Sequence, residues 1–156
     1  GVGISPHEVA VKLSGGLTVA LGEDFVAEMI SHIPMAAFVM DYDHNAPTVE
    51  HLEKTHQAFY RTFRALCPTT PVLLLSSPDF PFKPQSRKVR RDVILSTFEK
   101  GKEAGDQSLF FVDGEKLYPE AFWDSCSVDT THPNDLGHHF MAEALYPILK
   151  ELLELC

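Results

Sequence analysis

The chain has 156 residues, of which 44% are hydrophobic and 22% charged, as expected for one globular domain with a sizeable core rather than a disordered polymer. Its 22 acidic and 13 basic residues give a formal net charge of −9, which argues against a general attraction to nucleic acid or to an anionic membrane. Every apolar run is far shorter than the roughly 20 residues that a membrane-spanning helix needs. We therefore expect a single domain over residues 1–156, with neither nucleic acid nor a membrane as its partner.

The first half of the chain alternates between helical and strand patterns. Apolar residues at helical spacing predict a helix over residues 23–33, and the apolar run "MAAFVMDY" (35–42) predicts a buried strand. A second helix is predicted over residues 48–66, with Thr48 as its N-cap. The run "PVLLLSS" (71–77) predicts a second buried strand.

The same alternation continues to the end of the chain. A helix is predicted over residues 86–104, a third strand over "SLFFVDG" (108–114), and a last helix over residues 134–155, which Pro147 should kink. This order predicts an α/β layered fold with a parallel sheet. The helix over 86–104 is expected to carry a basic, solvated outer face with Arg87, Lys88, Arg90 and Arg91. The last helix is expected to carry an inward apolar stripe with Phe140, Leu145, Leu149 and Leu152.

The cysteines give weak information on the compartment. Cys67, Cys126 and Cys156 are scattered and form neither a CxxC zinc signature nor an even-numbered disulfide framework. Isolated thiols favour a reducing compartment, and so slightly favour the cytoplasm. No signal peptide is visible, but the chain starts without an initiator methionine, so the localisation stays open.

Polar segments follow each predicted strand, at the edge where ligands bind to parallel sheets. The loop before the last helix can reach the same edge, and it contains Asp129, His132 and Pro133. A carboxylate bonded to one imidazole nitrogen fixes the tautomer and leaves the other nitrogen free as a base. The spacing is short and common and also fits a turn that leads into a helix, so both interpretations stay open here.

The segment "DYDHNAP" after the first strand contains a second candidate. Asn45 could donate a hydrogen bond to a developing oxyanion, or it could form an Asx-type turn before Pro47. Asp41, Asp43 and His44 beside it suggest hard-metal ligands, but nothing else in the chain shows ligand spacing, so we predict no metal and no cofactor.

Two other motifs have less specific meanings. Gly15 and Gly16 in "SGGLTVALGE" offer backbone amides to a ligand or form a tight turn, without a P-loop or dinucleotide fingerprint. His138 and His139 are adjacent on the last helix and point about 100° apart, so surface or capping roles are expected for them.

Taken together, these residues resemble the SGNH (GDSL-type) hydrolases, which are serine esterases on a flavodoxin-like α/β sheet. "DTTHP" matches the family's last block, DxxHP, and so implies that Asp129 and His132 belong to a catalytic triad. "DYDHNAPT" resembles the third block of a bacterial subgroup of GDSL-like acylhydrolases, which implies an oxyanion-hole role for Asn45. The resemblance covers residues 20 to 155.

The resemblance implies a three-layer α/β/α sheet and a Ser-His-Asp mechanism on a short-chain or carbohydrate-linked ester, for example an acylated sugar. Asn45 and a backbone amide near Gly16 would form the oxyanion hole, and no cofactor would be needed. The alternative is an inactive homologue that binds a carbohydrate or a protein. A metal-dependent phosphoesterase using Asp41, Asp43 and the histidines ranks last.

The family's first block, with the nucleophilic serine, does not appear in this sequence. "GVGISPHEVAVKLS" resembles the helix that follows that block, so we expect the serine upstream of residue 1 and a domain that lacks its first strand. Ser5 and Ser14 lie near the N-terminus, but neither has a GDS-like context.

Overall fold

A computed structural model describes residues 23–79 and 82–154. The expectations for Ser5, Ser14, Gly15 and Gly16 fall outside these ranges. Within the described residues, no helix is both long and apolar enough to cross a membrane.

All the helices and strands predicted from the sequence are present. Thr48 caps its helix as expected, because its hydroxyl accepts a hydrogen bond from the backbone N–H of His51 at 3.1 Å. Short 3-10 turns cover Asp43–Asn45, Gly114–Lys116 and Trp123–Ser125. The main elements are α1 (Glu23–Ser31), β1 (Phe38–Met40), α2 (Val49–Leu66), β2 (Val72–Leu75), α3 (Pro84–Glu103), β3 (Leu109–Val112) and α4 (Asp135–Glu154), which contains Pro147.

The three strands form a parallel sheet in the order β1-β2-β3. Phe38 pairs with Val72, which pairs with Leu109, so alternate residues of all three strands face the same side. Side chains on that side pack against α1, α2 and α3, and those on the other side pack against α4. The chain therefore has the three-layer α/β/α, flavodoxin-like architecture expected from its sequence.

Helix α4 runs antiparallel to the strands. Leu152, near its end, is buried and lines a cavity together with Pro71 and Ser108, which directly precede β2 and β3. The C-terminal end of α4 thus lies at the amino edge of the sheet. A helix of this length spans about 30 Å, so its N-terminus and the loop before it lie toward the carboxyl edge.

The prediction of a solvated basic face on α3 is wrong for three of its four residues. Only Lys88 is well exposed, whereas Arg90 is buried and the side chains of Arg87 and Arg91 are 11% and 19% exposed. The helix turns its face with Arg90, Ile94, Thr97 and Gly101 toward the sheet, and Val89 is left half-exposed. The arginines are buried because they meet carboxylates at the edge of the sheet.

Helix α2 contains a buried histidine. The His56 ring is fully buried, with Nδ1 2.9 Å from the hydroxyl of Thr97 on α3. Burial disfavours the imidazolium and lowers the pKa of His56 to about 4, although the charge of Asp43 opposes this. His56 is therefore neutral in the folded protein at neutral pH.

This buried histidine should make the protein acid-sensitive. Between pH 6.5 and pH 4 the unfolded chain binds a proton at position 56 that the folded chain excludes, so the free energy of unfolding falls as the pH falls, by about 3 kcal/mol over the window. Urea denaturation at pH 7 and pH 4 should show that His56→Leu loses about that much less stability than the wild type. The exposed His32→Gln variant is the control, and equal losses in wild type and His56→Leu would contradict the assignment.

Candidate active site

The loops that follow the three strands are bonded to one another. The backbone N–H of Ser77, after β2, donates to Oδ2 of Asp43, after β1, at 2.9 Å. The hydroxyl of Ser76 accepts from the N–H of Gly114, after β3, at 2.8 Å. A Cβ on Gly114 would lie 2.0 Å from the carbonyl oxygen of Ser77, so only glycine fits there. The carboxyl edge of the sheet is therefore a fixed platform.

Arg90 holds the first of these loops. Its Nε donates to Oδ1 of Asp43 at 2.6 Å, and its Nη2 donates to the carbonyl oxygens of Asp43 and Ala46, the latter at 2.9 Å. Asp43 is fully buried and Arg90 is 7% exposed, so each charge depends on the other. The pair closes the 3-10 turn in which Asn45 lies.

Two more arginines of α3 reach the loops after β2 and β3. Nη2 of Arg87 forms an ion pair with Oδ2 of Asp79 at 2.9 Å. Nε2 of His44 lies 3.1 Å from the other oxygen of Asp79. Burial raises the pKa of Asp79, but the bond from His44 and the charge of Arg87 outweigh it, and the pKa lies below its usual value. Nη1 of Arg91 lies 3.4 Å from Asp113.

These contacts also bear on the metal interpretation of "DYDH". Asp43 is engaged by Arg90, and His44 by Asp79. In the part of the chain that the structure describes, no three His, Cys, Asp or Glu side chains cluster as metal ligands would.

Asp129 and His132 are in direct contact. Oδ2 of Asp129 lies 2.6 Å from Nδ1 of the imidazole, and its Oδ1 accepts from the backbone N–H groups of Thr131 at 3.0 Å and His132 at 2.7 Å. Asp129 therefore closes a turn and also contacts the ring. With Asp129 ionised, Nδ1 bears the proton and Nε2 has its lone pair available on a side chain that is 75% exposed.

The loop around this pair is tied to the start of α4. Ser127 and Pro133 form an antiparallel bridge, and the backbone N–H of Val128 donates to the carbonyl oxygen of His132 at 3.0 Å. The side chain of Asn134 then accepts from the N–H of Gly137 at 3.0 Å, as an N-cap does. His132 thus has a fixed position at the N-terminus of α4.

Asn45 and His132 reach the same edge of the sheet by different routes. Asn45 is partly buried and lies in the turn after β1, and His132 precedes α4, whose N-terminal end is directed to that edge. A cavity of about 780 Å³ lies at the opposite edge, where Tyr60, Arg64 and Ser108 line it. Within the described residues, the side chains of His132 and Asp129 are 75% and 52% exposed.

Asp129 should titrate at an unusually low pH. The backbone N–H of His132, and then its ring, lower the pKa of Asp129 to about 2, so its hydrogen bonds persist above that pH and are lost as the pH falls through it. In His132→Ala, which keeps the backbone donor, the pKa should rise but stay below the ordinary 3.8. Carbon-13 NMR titration of the carboxyl group measures both values, with His138→Ala as the control; an ordinary pKa in the wild type would contradict the contact.

A three-layer α/β/α sheet with an Asp–His pair before its last helix defines a protein of the SGNH-hydrolase fold. Residues 9–150 match the model of the GDSL-like Lipase/Acylhydrolase family, and the chain belongs to that family.

Solved structures agree with this assignment. A crystal structure described as a GDSL-like lipase from Bacteroides ovatus is 26% identical, covers 83% of this chain and superposes with a TM-score of 0.70. The salicylyl-acyltransferase SsfX3 from a tetracycline biosynthetic pathway is 20% identical over 83% of this chain, with a TM-score of 0.66, and shows the fold alone. The chain spans 39% and 41% of those two proteins. No curated protein sequence matches it.

Proposed function

We propose that the protein acts as a serine esterase or acylhydrolase on short-chain or carbohydrate-linked esters, with His132 and Asp129 as two members of its triad. The observation that supports this most directly is the 2.6 Å contact between Nδ1 of His132 and Oδ2 of Asp129, because it leaves Nε2 available as a base. Membership of the GDSL-like family makes ester chemistry the expected use of such a pair.

In the proposed reaction a serine hydroxyl attacks the ester carbonyl while Nε2 of His132 takes its proton. Asp129 stays ionised and stabilises the imidazolium. The tetrahedral oxyanion accepts hydrogen bonds from the Asn45 amide and from a backbone N–H near Gly16. The imidazolium then protonates the departing alkoxide, and a water molecule, deprotonated by the same nitrogen, releases the acid. An alcohol in place of water would give acyl transfer, the chemistry named for the salicylyl-acyltransferase.

The base is tested by removing the imidazole from the full-length protein. His132→Ala should lower kcat for p-nitrophenyl acetate by at least about three orders of magnitude, because the serine loses its base. His138→Ala removes an exposed histidine of α4 and should leave kcat unchanged. Retained activity in His132→Ala would refute the assignment.

A fluorophosphonate probe complements this assay because it reacts only with an activated serine. Labelling of the wild type but not of His132→Ala, followed by peptide mass spectrometry, would locate the nucleophile. Absence of both labelling and hydrolysis would favour the alternative, an inactive homologue that binds a carbohydrate or a protein. Activity that a chelator abolishes would instead favour a metal-dependent phosphoesterase.

The oxyanion role of Asn45 makes a separate prediction. Asn45→Asp keeps the shape of the side chain but replaces its donor by an acceptor, so kcat should fall by about 10² to 10³ with little change in KM. Asn45→Ala should give a similar loss. Steady-state kinetics on the same ester measures both, and near-wild-type kcat in Asn45→Asp would show that the amide donates nothing to the transition state.

A further inference from the structure

We propose that Arg90 is a positioning residue that holds the turn Asp43–Asn45 so that the amide of Asn45 points at the reacting carbonyl. The predicted effect of Arg90 on catalysis rests on the proposed function, whereas its effect on the conformation of the turn does not. Arg90 comes from α3, 45 positions further along the chain.

The contacts of Arg90 lie on both sides of Asn45. Its guanidinium group donates to the carboxylate and carbonyl oxygen of Asp43 and to the carbonyl oxygen of Ala46. Asp43 in turn accepts from the N–H of Ser77, which joins the turn to the loop after β2. Asn45 therefore lies between two anchored peptide groups.

The turn that Arg90 contacts is short. It is a single 3-10 turn, closed by bonds from the N–H of Asn45 to Tyr42 at 3.1 Å and from Ala46 to Asp43 at 3.2 Å. Isolated 3-10 turns have poor hydrogen-bond geometry and little stability. The buried guanidinium contacts meet no competing water, so they are strong enough to fix the turn.

Orientation matters because an oxyanion donor acts only when it is aimed at the position where charge develops. A displacement of about 1 Å at such a group can cost about 10² in rate. Lysine keeps the charge at position 90, but its single ammonium cannot reproduce a planar fork that reaches three acceptors. Arg90→Lys should therefore loosen the turn without removing the positive charge.

A matched control lies at the other edge of the sheet. Arg64 also joins a carboxylate to loop carbonyls, three in its case: Nε donates to Asp106 at 2.7 Å, Nη1 to Cys67 at 2.8 Å and Thr70 at 2.6 Å, and Nη2 to Ser108 at 3.3 Å. Arg64→Lys makes the same chemical change far from Asn45. Its kcat and KM measure the general effect of replacing an arginine that joins a carboxylate to backbone carbonyls.

The kinetic test compares the two lysine variants of the full-length protein. Arg90→Lys should lower kcat by about tenfold or more with KM within about a factor of two, and Arg64→Lys should change neither beyond that factor. In an Asn45→Ala background, Arg90→Lys should cause almost no further loss of kcat, because the group that it positions is gone. Equal losses in both lysine variants, or a full additional loss in the Asn45→Ala background, would overturn the proposal.

Amide hydrogen exchange tests the same proposal without relying on catalysis. The N–H groups of Asn45 and Ala46 should exchange at least about tenfold faster in Arg90→Lys than in Arg64→Lys at matched global stability. Equal exchange would overturn the positioning role even in an active esterase. Faster exchange in a protein that neither hydrolyses esters nor reacts with a fluorophosphonate would uphold the role of Arg90 and refute the esterase instead.

Discussion

The structure depends on the burial of positive charge at the carboxyl edge of the sheet. One stretch of α3 presents three arginines, and each meets an aspartate that follows a different strand: Arg90 with Asp43, Arg87 with Asp79, and Arg91 with Asp113. Removing one partner of a buried ion pair lowers the free energy of unfolding by about 3 to 5 kcal/mol, because the remaining charge is buried without water or an opposite charge. The loops that would bind a substrate are thus fixed to one helix, and the edge forms one unit.

The two halves of the candidate site are held by different means. Asn45 is fixed from outside its own segment, by a buried guanidinium on α3 and by the loop after β2. His132 is fixed from within its segment, by three bonds that the carboxylate of Asp129 accepts in an exposed loop. The proposed oxyanion donor is therefore sensitive to changes in the core of the protein, whereas the proposed base is sensitive mainly to changes in its own loop.

How much the sequence could predict depends on how far apart the interacting residues lie along the chain. Asp129 and His132 are three residues apart, so their contact could be foreseen, and the strands are continuous apolar runs. Arg90 and Asp43 are 47 positions apart, and a run of basic residues on a helix normally indicates a solvated surface. Val89, whose position lies opposite to the face shared by the arginines at positions 87, 90 and 91, was expected in the apolar stripe of the helix, and its exposure is visible only in the structure.

Thr130 gives the Asp–His loop a further property. Its φ of 67° puts a β-branched residue in the left-handed region, which is unfavourable for such side chains. The bonds that Asp129 accepts from Thr131 and His132, on the far side of Thr130, compensate for that strain. Protonation of the Asp129 carboxylate weakens these bonds. The imidazole of His132 then loses both its orientation and the acceptor of its Nδ1 proton in a single event.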